Sequence, residues 1–193
     1  MLWTKIVKNK IHNQNVVLKK NCKAQEIIKR LNKYENEVLE NDSSNREGLA
    51  ARSYFKELFG NEFIRFNDDI INKCLNFAYQ LIRSQICKVI VAKGYNPMLG
   101  IHHIGNENYY NLADDFFEVF RPIIDNFVFQ NVSLNDDMTS ELKEKLMKIL
   151  LTEWCYKNQK TTFFNLIDKF IGNCFNFLKD GLEYEEFILD EQL

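Results

Sequence analysis

Glycine and proline are scarce, seven and two among 193 residues, where average usage would give the pair roughly 12%. A chain so poor in turn formers cannot join many short strands, which excludes a sandwich or barrel assembled from hairpins. No apolar run approaches the ~18 residues of a membrane span. No signal-type apolar segment follows Met1 either. The five cysteines, Cys22, Cys74, Cys87, Cys155 and Cys174, are never closer than 13 residues and form no C-x-x-C pair. Neither a zinc finger nor a disulfide framework is indicated, and reduced, mostly buried thiols in a cytoplasm are expected.

What is present is ordinary soluble chemistry: 46% hydrophobic and 27% charged residues, enough for a single sizeable core. The net charge of −2 conceals segregation. Residues 1–33 hold nine Lys/Arg and one acid, whereas residues 34–69 hold four bases and nine acids. Residues 70–100 carry Lys73, Arg83, Lys88 and Lys93 with no acid, and residues 101–140 return to a net −6. Basic blocks beside acidic ones suit an enzyme that holds a polyanion and a cation together. They are equally what solvated helix faces look like. Near-neutral total charge argues against an indiscriminate polycationic DNA binder.

Hydrophobic spacing is helical almost throughout. Trp3, Ile6, Val7, Ile11, Val17 and Leu18 make one amphipathic pattern with lysines opposite, and Ile27, Ile28, Leu31, Tyr34, Val38 and Leu39 make a second. Ser44 and Glu47 have capping-box spacing ahead of a helix that Gly60 ends. Residues 68–93 form the clearest helix, with an apolar face broad enough for a central position. Residues 94–110 read as a structured loop. Asn111 is placed to cap a helix through Phe120, and Arg121-Pro122 breaks or kinks it. Further helices are expected over 139–156 and 161–179, followed by an acidic tail from 181 that frays. The expectation is an all-α fold, one multi-helix domain over residues 1–193.

Three places could serve a hard cation: Glu47, the His102-His103 pair, and the Asp114, Asp115, Glu118 group, whose three- and four-residue spacings share a helix face. Two carboxylates and an imidazole suit Mg²⁺ or Mn²⁺. Each residue also has a local explanation. Glu47 could complete the capping box, the acids could sit at a positive helix N-terminus, and the histidines could be hydrogen-bonding loop residues.

The run Gly94-Tyr95-Asn96-Pro97-Met98-Leu99-Gly100-Ile101-His102-His103 resembles the G-x-x-P-x-x-G-x-x-H signature of the CRISPR-associated spacer integrase, the Cas-one family. Asn111–Pro122 is similar to that family's L-x-x-D-x-x-E-x-F-R-P block, and Glu47–Phe55 to its E-x-x-A-A-x-x-Y-F helix. Phe63-Ile64-Arg65 and Ile71–Asn76 fit in order. The wording of the two longest blocks is most similar to the type II branch.

The resemblance implies the helical C-terminal catalytic lobe of a metal-dependent DNA endonuclease and integrase. In the family a 3′-hydroxyl of spacer DNA attacks a phosphodiester at the CRISPR repeat in the prokaryotic cytoplasm. It implies Glu47, His103 and Glu118 as catalytic metal ligands, Asp115 as auxiliary, and Mg²⁺ or Mn²⁺ as cofactor. His103 is chosen because it stands three residues after Gly100, and His102 is left outside the ligand set. Lys73, Arg83, Lys88 and Lys93, with the lysines of residues 5–33, become candidates for gripping DNA, with the small Cas-two protein and other type II adaptation proteins as partners and no membrane. The family carries an N-terminal β-rich domain that helps pair two subunits, and this sequence is expected to be the helical lobe without it. The family's homodimer is therefore less expected here. The alternative is a catalytically inert helical fragment that only binds DNA or a protein partner.

Overall fold

A computed structural model describes residues 1–21, 24–156 and 159–188. Among them run eight α-helices: α1 (Leu2–Asn21), α2 (Gln25–Asn36), α3 (Arg46–Phe59), α4 (Ile70–Ala92), α5 (Asn111–Phe117), α6 (Arg121–Asn131), α7 (Ser140–Met147) and α8 (Phe163–Asp180). Two strands, β1 (Glu153–Tyr156) and β2 (Gln159–Thr162), pair antiparallel with Glu153 opposite Thr162. The fold is all-α with one small hairpin, and its buried side chains form one continuous core. No described helix is long and apolar enough to cross a membrane. Cys74 and Cys174 are buried free thiols and Cys87 is half-buried; Cys22 and the side chain of Cys155 lie outside the described residues.

α1 and α4 form the axis of the domain. α4 packs against α5, α6, α7 and α8, burying Leu75, Ile82 and Ile86, as its broad apolar face requires. α1 departs from the amphipathic expectation: its polar residues Asn9, Lys10, Asn13, Gln14 and Asn15 are buried too, and Lys10 and Gln14 fall on the apolar face rather than opposite it. Buried amides need partners, and the chain's own end supplies them. Asn9 accepts from Phe187 N–H at 2.9 Å and donates to Phe187 C=O at 2.7 Å, and Asn13 donates to the same carbonyl at 2.9 Å. Tyr184 and Phe187 are buried. The tail through residue 188 is therefore docked, not frayed; residues 189–193 lie outside the described ones.

Local differences from expectation have local causes. α7 stops at Met147 and a 3₁₀ turn follows, after which β-branched and aromatic residues (Thr152, Trp154, Thr161, Thr162) make the hairpin where a helix to 156 was expected. The Ser44–Glu47 capping box does not form. Asn45, in the left-handed region, caps α3 by accepting from Gly48 N–H, while Asp42 accepts from the N–H of Arg46 and Glu47. Asn111 does not cap α5 either: its amide donates to Met98 C=O at 3.1 Å and Gly105 C=O at 2.8 Å, tying down the preceding loop. Near Pro122 the helix tightens into a 3₁₀ turn at Glu118–Phe120, as expected where a ring replaces an N–H donor.

Candidate functional site

Three elements meet at one buried cation. Lys10 enters from the middle of α1 and is only 5% exposed. Glu47 arrives in the first turn of α3, released for this position because Asn45 and Asp42 satisfy the helix start. Glu118 comes from the 3₁₀ turn between α5 and α6. The Lys10 ammonium pairs with Oε1 of Glu47 and, at 2.5 Å, with Oε2 of Glu118. The other Glu118 oxygen takes Nε of Arg121 at 2.9 Å. Two carboxylates, 71 residues apart in sequence, thus converge on one point that already holds a positive charge.

Electrostatics follow from this packing. Burial alone would push Glu118 up, but Arg121 and Lys10 outweigh it and hold the carboxyl down at about 2. Burial would likewise lower Lys10, yet Glu118 and Glu47 raise it above the ordinary lysine value. A buried charge of either sign survives here only because its partners are present.

His103 lies on the 94–110 loop, within electrostatic reach of Glu118 and with 40% of its side chain exposed. Its Nδ1 lies 2.7 Å from Oδ1 of Asp115. Asp115 also accepts from the main-chain N–H of Ile101 at 2.5 Å, His102 at 3.0 Å and His103 at 3.1 Å. A carboxylate so engaged is an acceptor, so Nδ1 carries the proton and Nε2 is left with its lone pair. The hydrogen bond to Asp115 raises the His103 pKa, against burial, and the charges of Asp115 and Glu118 add to it. His102 faces elsewhere, its ring stacked on Trp3 with centroids 4.1 Å apart and 2° between planes. Trp3 meets His103 edge-on at 5.7 Å. Gly100 is required here by close approach: a Cβ would lie 2.1 Å from His103 C=O and 3.0 Å from Oδ2 of Asp115.

Does this donor set fit a divalent ion? Among the described residues no three His, Cys, Asp or Glu groups stand as a ready cage. The chemistry nonetheless fits. Two carboxylates share one point, a cation occupies that point, and the neighbouring imidazole is held through Nδ1 by a carboxylate, the usual support of a metal-ligating histidine.

A cleft of about 320 Å³ opens beside the pair, lined by Lys10, Gln14, Glu47, Glu118, Arg65, Arg121, Tyr79, Asp125 and neighbouring aromatics. Arg121 lies over the rings of Phe117 at 4.5 Å and Tyr79 at 4.9 Å. Tyr79 donates to Asp125, whose pKa burial lifts to about 7. A second hollow of about 350 Å³, lined by Leu58, Phe59, Phe63 and Phe129 among others, is mainly apolar and holds none of these groups.

The cations named from sequence, three on α4 and Lys93 just past its end, are not gathered on one face, since at roughly 100° per residue their spacing scatters them around the helix. Lys73 pairs with Asp68 at 2.9 Å and Lys93 with Asp168 at 2.8 Å. Arg83 reaches Asp114 at 3.5 Å and lies over Tyr110. Lys88 is exposed. Sequence reasoning reaches Lys10 only as one of the lysines of residues 5–33 that could grip DNA, and passes over Arg65 and Arg121 as site residues. Lys10 did carry a signal: it falls in the same stripe as Trp3, Val7, Gln14 and Val17, where an amphipathic surface helix would not place a lysine.

The sequence pattern of the family described as CRISPR associated protein Cas1 matches residues 1–163. The chain belongs to the Cas1 family. Relatives include the CRISPR-associated endonuclease Cas1 of Neisseria meningitidis serogroup C, 34% identical over 175 residues, covering 89% of this chain and 57% of that protein. The CRISPR-associated endonuclease Cas1 1 of Francisella tularensis subsp. novicida is 29% identical over 174 residues, covering 79% and 54%. This Cas1 chain therefore spans a little over half the length of these two relatives. Its fold is also that of a Cas1 protein from Thermotoga maritima, with a TM-score of 0.72 at 19% identity over 92% of this chain and 66% of that one. A casposase bound to integration product superposes with a TM-score of 0.71 at 18% identity, covering 97% and 65%.

Proposed function

We propose that this Cas1 chain is the catalytic lobe of a divalent-metal-dependent DNA endonuclease and integrase of CRISPR adaptation. The reading rests on one observation above all: Glu47 and Glu118 share a single cation position, with His103, fixed by Asp115, within electrostatic reach of Glu118. The residues that would hold Mg²⁺ or Mn²⁺ are Glu47, Glu118 and, through Nε2, His103. Asp115 has both oxygens engaged by the loop, so it acts by fixing His103 rather than by reaching the ion. When bound, such an ion neutralises charge on the non-bridging phosphate oxygens of the reacting group.

The reaction is an exchange of phosphodiesters. The 3′-oxygen of a spacer end forms a bond to phosphorus, the existing P–O bond in the repeat breaks, and the hydroxyl proton passes to the leaving oxygen or to solvent. With water as nucleophile the same exchange is strand cleavage. Arg65 and Arg121 give the cleft positive charge for the phosphate, while Lys73 and Lys88, exposed on α4, are placed to meet backbone further out. Double-stranded DNA and a Cas2 protein are the partners this reading calls for. A similar fold occurs in a Cas6-RT-Cas1–Cas2 complex (TM-score 0.75, 18% identity, all of this chain and 25% of that one).

Thermal unfolding with Mn²⁺ and strand-transfer assays on a repeat-bearing plasmid test this together. Mn²⁺ should raise the melting temperature and support transfer or nicking, and Glu47→Ala and His103→Ala should remove both effects. Equal responses from wild type and variants would leave the inert, DNA-binding fragment as the better account.

A further inference from the structure

Lys10 is buried inside the domain, and the place it occupies is the one the metal would need. Its ammonium is bonded to one oxygen of Glu47 and one of Glu118. Both carboxylates come from segments remote in sequence, 37 and 108 residues from Lys10. Two buried or half-buried carboxylates drawn this close repel one another unless something positive lies between them. Of the other two cleft cations, Arg65 donates to Asn72 and Asn76, and Arg121 serves the outer oxygen of Glu118 through Nε and is stacked on Phe117 and Tyr79. Neither stands between the two acids.

We propose that Lys10 is a built-in counter-ion: it holds Glu47 and Glu118 together when no metal is bound and gives up their shared position to the divalent ion. This rests on the metal-site reading above. An ammonium and a divalent cation cannot both occupy the gap between the two carboxylates, so binding is an exchange of one for the other. Metal affinity is then set by the difference between two cations rather than by the acids alone. The displaced side chain stays within the cleft, because its backbone belongs to a buried helix anchored by Trp3, Ile6, Val7 and Ile11. It joins Arg65 and Arg121 on the cleft wall, on the side open to an anionic substrate.

The direction of the mutant effect separates this role from a merely structural salt bridge. Replacing Lys10 by the similarly long, uncharged methionine removes the competitor. Lys10→Met should bind Mn²⁺ at least tenfold more tightly than wild type by calorimetry, and should gain more melting temperature from it. Lys10→Arg keeps the charge and should not show the gain. If Lys10 were only a strut, Lys10→Met would bind Mn²⁺ equally or less well, because the acids would separate; that result overturns the proposal.

A measurement on the wild-type chain covers the case in which the variant does not fold. Saturation with Mg²⁺ should shift the Lys10 side-chain resonances and open its ammonium protons to solvent exchange. Unchanged Lys10 signals at saturation, with binding still abolished by Glu47→Ala, would also overturn it. Absence of any Mn²⁺ or Mg²⁺ binding to wild type would instead remove the metal-site reading, and this inference with it.

Discussion

Asp115 holds His103 twice, accepting from its main-chain N–H at 3.1 Å and from its ring Nδ1 at 2.7 Å. With Ile101 and His102 also donating to the same carboxylate, one fully buried acid organises the loop that carries the His103 imidazole.

Removing that anchor should therefore be read at the histidine. Its folded pKa is raised, so its stabilising contribution is complete below the unfolded value of 6.5 and is lost as pH rises through the folded one. Asp115→Asn should bring the His103 titration back toward 6.5 in an NMR titration. Chain stability should fall by about 2 kcal/mol, the scale of hydrogen bonds to a charged group. An unshifted His103 titration would show that Asp115 does not govern it.

Gly100 answers a different constraint on the same loop. An added Cβ would collide with the His103 carbonyl and crowd Asp115. Gly100→Ala should cost about 1–3 kcal/mol, as overpacking does, and displace the His103 resonances. Wild-type resonances together with wild-type stability would contradict the close approach.

The docked tail offers a test far from the loop. Phe187 is buried against Phe120, with ring centroids 5.3 Å apart, and its peptide group is bonded to Asn9 and Asn13. Phe187→Ala should lose about 3 kcal/mol, in the range for a buried aromatic, and limited proteolysis should cut after Gly181 faster than in wild type. Equal cleavage rates would mean the tail contributes nothing to holding α1.

Asp125 should impose a pH dependence of the opposite kind to a paired acid. Burial raises its pKa from 3.8 to about 7, against the hydrogen bond from Tyr79 and the charge of Arg121. The folded state thus holds its proton more tightly than the unfolded state, so this group's contribution is best below about pH 4 and declines as pH rises to 7. Asp125→Asn keeps an acceptor for Tyr79 and should flatten urea-unfolding stability across that interval. An unchanged slope would place the titration elsewhere.

Much of the domain was legible beforehand because its causes are local. α4 follows from apolar spacing, with Asp69 capping its start. The end of α8 follows from Gly181, which adopts φ +66°. Glu47, His103, Asp115 and Glu118 stood out through motif blocks, each a short run of neighbours. The hairpin was missed because the periodicity of Leu142, Leu146 and Ile149 invites the helix to continue. The β-branched and aromatic residues there, Trp154, Thr161 and Thr162, are a weaker signal than that periodicity, and the pairing of 153–156 with 159–162 is fixed only in the fold.

The chemistry of the individual side chains, and the helices that carry them, were set by residues within a few positions of one another. Lys10 shows where that ends. Its place in the stripe of Trp3, Val7, Gln14 and Val17 turns it inward, but only packing of that helix against α3 and the Glu118 turn converts it into a buried cation between two acids. A charge becomes a site when its surroundings exclude water and supply partners, and those surroundings come from chain segments that meet only in the folded state.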